Sequence, residues 1–473
     1  MTLVRDTASA PTEARIPAPV GTSRLTRSPT PDVSRHLAAF GALPAAPDAA
    51  ALLEILHSAG LEGRGGAGFP AWRKLAALPA VRSTARGTGR RPVVIGNAAE
   101  GEPLSIKDAT LLRTAPHLVI DGLLTVAAAV SATEVYLYAP AALVPHVGRA
   151  LTERSDAAAV TLQAAAESFL SGEASAVVNA LAGRPALPTD RSVRLTSTGL
   201  GKRPTLLHNI ETLAQIALIV RFGADWFRSL GTVESPGTRL VTVSHGLPAA
   251  GVAAGVSGAS GARAGSSADP TVPGTDNCVP RTGRRSPLRQ QWGTVAEAPG
   301  HASGTVLEVV GGSRIDDILR FAGIDSGSVA AVLVGGYHGA WVPATALHTG
   351  LDAPSLAPFG ASPGAGILLA LETGRCPLTL AASITDYLTG ESARQCGPCL
   401  NGLPAMAAVL RRLATGERDA GMPAEVARLA ALVAGRGSCH HPDGTARFVL
   451  STLTVFEADV AAHLDGSCEK VHA

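Results

Sequence analysis

The sequence predicts an α/β protein built in three parts: a largely parallel sheet flanked by helices, a small α+β domain, and a bundle of about four helices. Three observations predict this. Apolar strand-like runs alternate with amphipathic stretches through the first half of the chain, as when strands are joined by helical crossovers. A compact strand–helix–strand piece follows a stretch rich in Gly, Ala, Ser and Pro. After Pro377 the apolar residues recur at helical spacing.

The elements follow in order. Residues 1–35, rich in Pro, Ser, Thr and Arg without periodicity, read as a disordered tail. The first domain then spans 36–246. Residues 50–59 carry Leu52, Leu53, Ile55 and Leu56 on a short amphipathic helix. A glycine-rich segment follows at 63–70. Residues 92–96 form a buried strand running into Asn97-Ala98-Ala99-Glu100-Gly101-Glu102-Pro103. Helices at 117–130 and 143–154 flank a strand at 134–138. At 247–302 the composition turns to Gly, Ala, Ser and Pro, a flexible insertion. The second domain, 303–370, holds strands at 304–310 and 329–334 around a helix at 316–322. The third, 371–473, carries three apolar stripes: Leu380, Ile384 and Leu388; Val426, Leu429, Leu432 and Val433; Leu450, Leu453, Phe456, Val460 and Leu464.

The 473 residues suffice for several domains with sizeable cores. A net charge of +2 gives no argument for nucleic acid or an anionic membrane. Six irregularly placed cysteines in so long a chain are not a disulfide framework, and a reducing cytoplasm is expected. The first residues show no signal region. The best apolar run, 118–130, is too short to span a bilayer and contains Asp121, so the protein is expected to be soluble or at most peripheral.

Four segments could carry chemistry. In Arg64-Gly65-Gly66-Ala67-Gly68-Phe69 the glycines let backbone N–H groups approach a phosphate or a flat ring. The segment follows a helix and lacks G-x-G-x-x-G spacing, so alone it reads equally as a structural turn. Lys74 downstream could neutralise a phosphate or simply be solvated. Asn97, Glu100 and Glu102 lie at the carboxyl end of a buried strand, where open α/β sheets bind ligands. The carboxylates could hold ribose hydroxyls or set the field around a flavin, or merely solvate a loop. Glu173 and the group Asn209, Thr212 stand in two further polar turns. No G-x-S-x-G frames a hydrolase. Finally, Cys396-Gly397-Pro398-Cys399 with Cys439 supplies three thiols. These suit an iron–sulfur cluster, a Cys₃His zinc site completed by His440 or His441, or no metal.

The order of these motifs resembles the family of NADH-binding flavoprotein subunits of respiratory complex I and the related subunits of NAD-linked hydrogenases and formate dehydrogenases. The resemblance runs over about 50–466. It rests on 63–70, Lys74, Asn97, Glu100, Gly101, Glu102, Pro103, Lys107, Asp108, Gly172, Glu173, Asn209, Glu211 and Thr212. It continues through Gly335, Gly336, Gly339, Trp341 and Pro343 to Glu391, Ser392, Cys396, Cys399 and Cys439. It implies a Rossmann-like flavin and nucleotide domain, a β-grasp domain and a helical iron–sulfur domain.

The implied activity is oxidation of NADH through FMN to a [4Fe–4S] cluster, and on to a protein or quinone-linked acceptor. Glu100 and Glu102 would line the nucleotide side as catalytic carboxylates. Arg64, Gly65, Gly66, Ala67, Gly68, Phe69, Lys74, Asn97, Glu100, Glu173, Asn209 and Thr212 would bind cofactor, with Phe69 stacking on a base. Cys396, Cys399 and Cys439 would hold the cluster. Partners would be a ferredoxin-like protein or a complex I-type subunit, with no nucleic acid and membrane contact only through partners. The chain departs from the family pattern at Ala99, Leu104-Ser105-Ile106, Phe169, Ala174, His208 and Ala393. Ala393 stands where the family has its first cluster cysteine, implying a three-iron or labile four-iron cluster, or substitution by Cys468 or His440. Such losses also fit a non-catalytic scaffold, or a flavin and cluster relay that does not use NADH.

Overall fold

A computed structural model describes residues 23–79, 90–190, 194–245, 294–295 and 304–470. The first sheet is four parallel strands: β1 (Val93–Asn97), β2 (Glu134–Pro140), β3 (Val160–Ala165) and β4 (Thr205–Asn209), in the order β3-β2-β1-β4. β1 is Val-Val-Ile-Gly-Asn and fully buried, because helices cover both faces of a parallel sheet. The chain reverses its direction of progress across the sheet between β1 and β4. That is the switch point where doubly wound folds open a crevice at the carboxyl ends. Asn97 and Asn209 are register partners there.

Helix Pro116–Ala129 lies in this core, and its charged residue has a structural reason. Asp121, 1% exposed, meets His36 at 2.8 Å, Arg154 at 2.5 Å and Arg221 at 2.5 Å. Burial opposes its ionisation, but these partners hold its carboxyl below the usual range. Among the described residues no single helix is long and apolar enough to cross a membrane. The bent pair Lys107–Thr114 and Pro116–Ala129 is long enough in sum, but both helices bury most of their residues in the protein.

The second sheet has six strands in the order β6-β7-β5-β10-β8-β9: β5 (Thr238–His245), β6 (Thr294–Val295), β7 (Gly304–Val310), β8 (Val329–Val334), β9 (Ala340–Pro343) and β10 (Ile367–Glu372). An antiparallel β5–β7 pair, helix Ile315–Phe321 and a β10 running parallel to β5 make the β-grasp arrangement. This sheet begins at Thr238, so its first strand precedes the boundary expected at 303. Two residues of the expected insertion, Thr294–Val295, pair with β7 at the sheet edge. The rest of 247–302 lies outside the described residues.

The expected tail needs correction over 23–35. Leu25 is wholly buried, and the N–H groups of Arg24, Leu25 and Thr26 donate to the carboxylate of Glu308 on β7. Arg24 also donates to Phe227 O at 2.8 Å and lies over the Trp226 ring. Helix Val33–Phe40 follows, capped by Asp32. Residues 1–22 lie outside the described residues.

Among the described residues the C-terminal part has five α-helices, Pro377–Gly390, Leu403–Ala414, Met422–Val433, His441–Val455 and Glu457–Asp465, and a π-helical turn Pro398–Gly402 leading into the second. The expected last stripe runs across a break at Phe456 between the final two. Leu432 and Leu450, expected inside, are 43% and 39% exposed.

Candidate functional site

A cleft opens at the switch point, with walls from all three parts of the chain. Gly65, Asn97, Glu100, Glu102, Lys107, Asp108, Gly172, Glu173 and Asn209 line it from the first part, and His338 and Ala365 from the second. Cys439, His440 and His441 line it from the helical part. The sequence-predicted carboxylates and amides are therefore brought together, but their bonds separate those that shape the cleft from those that face a ligand.

Asn97 spans two loops: its amide donates to Gly172 O at 2.9 Å and its carbonyl accepts from Ala99 N–H at 3.1 Å. These loops touch so closely that a Cβ on Gly101 would lie 2.2 Å from Phe169 O. Asn209 caps the helix Ile210–Phe222 and donates to Asp108. Glu100 accepts from the N–H groups of Asp108 and Ala109, each at 2.9 Å, and from the Ser105 hydroxyl at 2.6 Å. Both its oxygens are thus engaged at the start of the helix Lys107–Thr114, so Glu100 has a structural role at the cleft wall. Glu173 likewise caps Ala174–Leu181, with one oxygen accepting every bond.

Glu102 differs. Tyr337 N–H donates to its Oε1 at 2.6 Å. Burial pushes its carboxyl up to about 8, against the pull of that donor. Gly336, in a left-handed conformation (φ +81°), lies so close that an added Cβ would stand 2.3 Å from Glu102 Oε2. Glu102 is therefore a neutral carboxylic acid at pH 7, able to donate as well as accept. Its folded pKa lies above the ordinary value, so the folded chain holds this proton more tightly than the unfolded chain. The stability so contributed is full at acid pH and is lost as pH rises through about 8. Urea denaturation across pH will show the unfolding free energy falling between about pH 5 and 8, and falling less steeply in Glu102→Gln. Asp108, also raised chiefly by burial, leaves a remaining slope. Equal slopes in the two proteins would contradict the assignment.

The glycine loop is a closed turn, with Gly63 N–H donating to Phe69 O at 2.9 Å. Gly66 (φ +113°) and Gly68 (φ +60°) take conformations that favour glycine. Phe69 is 49% exposed. Arg64 corrects the expectation. It is 3% exposed and points away from the cleft, donating to Thr238 O at 3.2 Å. Thr212, wholly buried, accepts from Arg64 N–H at 2.9 Å and fixes the loop without facing the cleft. Lys74, on the helix Ala71–Ala76, reaches β4 and donates to Leu207 O at 2.7 Å. Burial lowers its ammonium to about 8, and no carboxylate among the described residues pairs with it. The neighbouring His208 is held neutral by burial and by Lys74, at about 3.

The thiols gather at the end of the bundle against this cleft. Burial opposes ionisation of Cys396, but N–H groups of Cys399 and Ser438 aim at its sulfur and hold it below the ordinary thiol value. Cys399 is pushed up to about 12 by burial and by the sulfurs of Cys396 and Cys439. Three crowded thiols, with backbone donors already aimed at one sulfur, fit a cationic iron–sulfur core that would neutralise their mutual repulsion. Neither proposed substitute for the missing ligand is in place. His440 has an 81% exposed side chain facing Asp443, and Cys468 lies elsewhere, beside Cys376.

Sequence reasoning missed that His338, His441 and Phe169 pack together beside Cys439 in the cleft wall. His441 Nε2 is 2.7 Å from Leu388 O and so carries the proton, leaving Nδ1 to accept from His338 Nε2 at 3.1 Å. The Phe169 ring packs edge-on against both imidazoles and against Tyr387. His441 was legible only as a possible zinc ligand and Phe169 only as a departure from the family pattern; for His338 the signal was a histidine inside the turn Gly335-Gly336-Tyr337-His338-Gly339.

Comparison with known proteins places the same features. Residues 56–218 match the family described as Nuo51 FMN-binding domain, and 379–463 match the NADH-ubiquinone oxidoreductase-F iron-sulfur binding region. An NADH-quinone oxidoreductase subunit of Rhizobium meliloti (strain 1021) is 27% identical over 430 residues, covering 88% of this chain and 89% of the relative. The corresponding NADH-quinone oxidoreductase subunit of Mycobacterium tuberculosis (strain ATCC 25618 / H37Rv) is 26% identical over 433 residues, covering 88% and 85%. Among solved structures, an air-oxidized NAD⁺-reducing [NiFe]-hydrogenase superposes with TM-score 0.69 at 25% identity. The match covers 94% of this chain and 65% of that one, so the chain spans just under two thirds of the hydrogenase polypeptide.

Proposed function

Because the chain belongs to the family of NADH-binding flavoprotein subunits found in NADH-quinone oxidoreductases, we propose that it oxidises NADH with FMN held in the cleft and delivers the electrons to an iron–sulfur cluster on Cys396, Cys399 and Cys439. The observation that carries this reading is Cys439 itself, which lines the same cleft as Asn97, Glu102 and Gly65. Cofactor and cluster are then neighbours. FMN, when bound, supplies the conversion of a hydride donor into single electrons.

The chain's own residues orient and insulate. Asn97, Gly172 and Asn209 present the polar floor, and Gly65 and Gly66 admit flat rings. Phe69 offers an exposed face to a base, and Lys74 offers a cation to a phosphate. Glu102 holds a proton on its carboxyl at the cleft wall. His338 and His441, kept neutral chiefly by burial, line the cleft beside Cys439 without adding charge.

The acceptor is a partner protein, ferredoxin-like or of complex I type, by analogy with relatives named as subunits. All five cysteines among the described residues are free, which supports a reducing compartment, and we assign the protein to the cytoplasm.

The test of the cluster half is iron and sulfide analysis with electron paramagnetic resonance on anaerobically prepared protein. Wild type will show a three-iron cluster, or a four-iron cluster that readily loses one iron, because Ala393 offers no donor. Ala393→Cys will convert it to a stable four-iron form. Zinc without sulfide at these thiols would refute the proposal.

A further inference from the structure

A second set of metal-ligating side chains converges at the far end of the bundle, apart from the cleft and its thiols. Cys376 caps the helix Pro377–Gly390, with Thr379 N–H donating to its sulfur at 3.5 Å. His463 lies in the last helix, Glu457–Asp465, and Cys468 follows that helix's C-cap, Gly466. One ligand atom from each lies within 4.8 Å of the others, and Cys376 Sγ is 3.2 Å from His463 Nε2. Cys376 and His463 are each 2% exposed, whereas Cys468 is half-buried. The 14-residue helix that Cys376 caps ends at Gly390, six residues before Cys396. At ~1.5 Å rise per residue that helix is about 20 Å long, and no residue lining the groove at Cys468 lines the cleft at Cys439.

The histidine is set for a ligand. Its Nδ1 is 3.0 Å from Leu413 O, and a carbonyl only accepts, so Nδ1 carries the proton. Nε2 therefore presents its lone pair to the two sulfurs. A backbone carbonyl fixing the far nitrogen is how metal-bound histidines are oriented.

We propose that Cys376, His463 and Cys468 form a Cys₂His site for one thiophilic divalent cation, with Zn²⁺ the ion this donor set suits best. Two thiolates and a neutral imidazole balance the 2+ charge, so the buried site carries no net charge. Binding expels one proton from each thiol and none from the imidazole. The fourth position faces a groove beside Thr379, Ser383 and Asp386, where water can complete the tetrahedron. The ion ties the segment after Gly466 to the start of helix Pro377–Gly390, and its role is structural.

The full-length protein, prepared without oxygen and with its cluster intact, is analysed for zinc, iron and sulfide. A single equivalent of zinc is expected beside the cluster iron. Cys468→Ser, at a half-buried position, is expected to lower zinc about tenfold or more while iron and sulfide stay unchanged. Cobalt(II) added to zinc-depleted wild type should give a thiolate-to-cobalt charge-transfer band that Cys468→Ser lacks. The cobalt titration needs no variant, so poor folding of a mutant does not blunt the test. Absence of both zinc and the cobalt band in protein with free thiols would overturn the proposal. So would full zinc retention in Cys468→Ser, or a Cys376–Cys468 disulfide in place of metal.

Discussion

Replacing Lys107 with methionine will lower the unfolding free energy by about 3–5 kcal/mol, the cost of leaving buried charge without its partner. Lys107 is 1% exposed, and its ammonium lies 2.7 Å from Asp108 and 2.9 Å from Glu211. Burial alone would lower its pKa, but Asp108, Glu211 and Glu100 outweigh burial and raise it. Glu211 also accepts from Leu240 N–H at 2.8 Å, so the cluster joins the first domain to the β-grasp sheet. Methionine keeps the volume and removes the charge. Adding Glu211→Gln should recover part of the loss, because one uncompensated carboxylate is then neutral. Chemical denaturation of the single and double variants is the check. A single-variant loss under about 1 kcal/mol, the size of an exposed pair, would show that the charges are solvated.

Gly66→Val will lower the rate of flavin reduction by NADH about 100-fold or more, the scale of effect of a misplaced reactant. The cause is conformational, not steric. A Cβ at Gly66 would meet nothing closer than Ala365 N at 3.9 Å, but φ of +113° is a backbone region a β-branched residue avoids. The loop must rearrange, and with it Gly65, whose Cβ position lies 3.1 Å from the Asn209 side chain. Iron and sulfide content should be unchanged, since the cluster cysteines lie in the turn at 396–399 and the loop before His441, far along the chain from the glycine loop. Stopped-flow flavin absorbance in wild type, Gly66→Ala and Gly66→Val tests this, with alanine intermediate. Equal rates in all three would show that the loop does not shape the nucleotide site.

Much of the fold was legible because its strands are apolar runs with clear ends. Residues 92–96, 304–310 and 329–334 read as strands from composition alone. β3, Val-Thr-Leu-Gln-Ala-Ala, is half-exposed and resembles loop. The ordered residues 23–35 were read as tail because their composition is that of a tail. What orders them is Glu308, more than 280 positions away, and no local pattern reports such a partner.

The candidate site shows the same division. Asn97, Glu102, Glu173, Asn209 and Gly65 were legible as cleft residues because strand ends and glycine turns mark crevices. Arg64 and Thr212 were read as ligand contacts because a motif does not distinguish residues that touch a ligand from those that bend the loop around it. His338 and His441 are 103 positions apart, and Cys376 and His463 are 87 apart, so each pairing emerges only from the packed bundle.

The most direct test of the central claim is anaerobic titration of FMN-reconstituted wild-type protein with NADH, followed by optical absorption and electron paramagnetic resonance in the same sample. The account predicts that NADH bleaches the flavin and that the cluster signal then changes to its reduced form, with neither event in protein lacking FMN. A flavin that stays oxidised in excess NADH, in protein that carries both FMN and cluster, would contradict it.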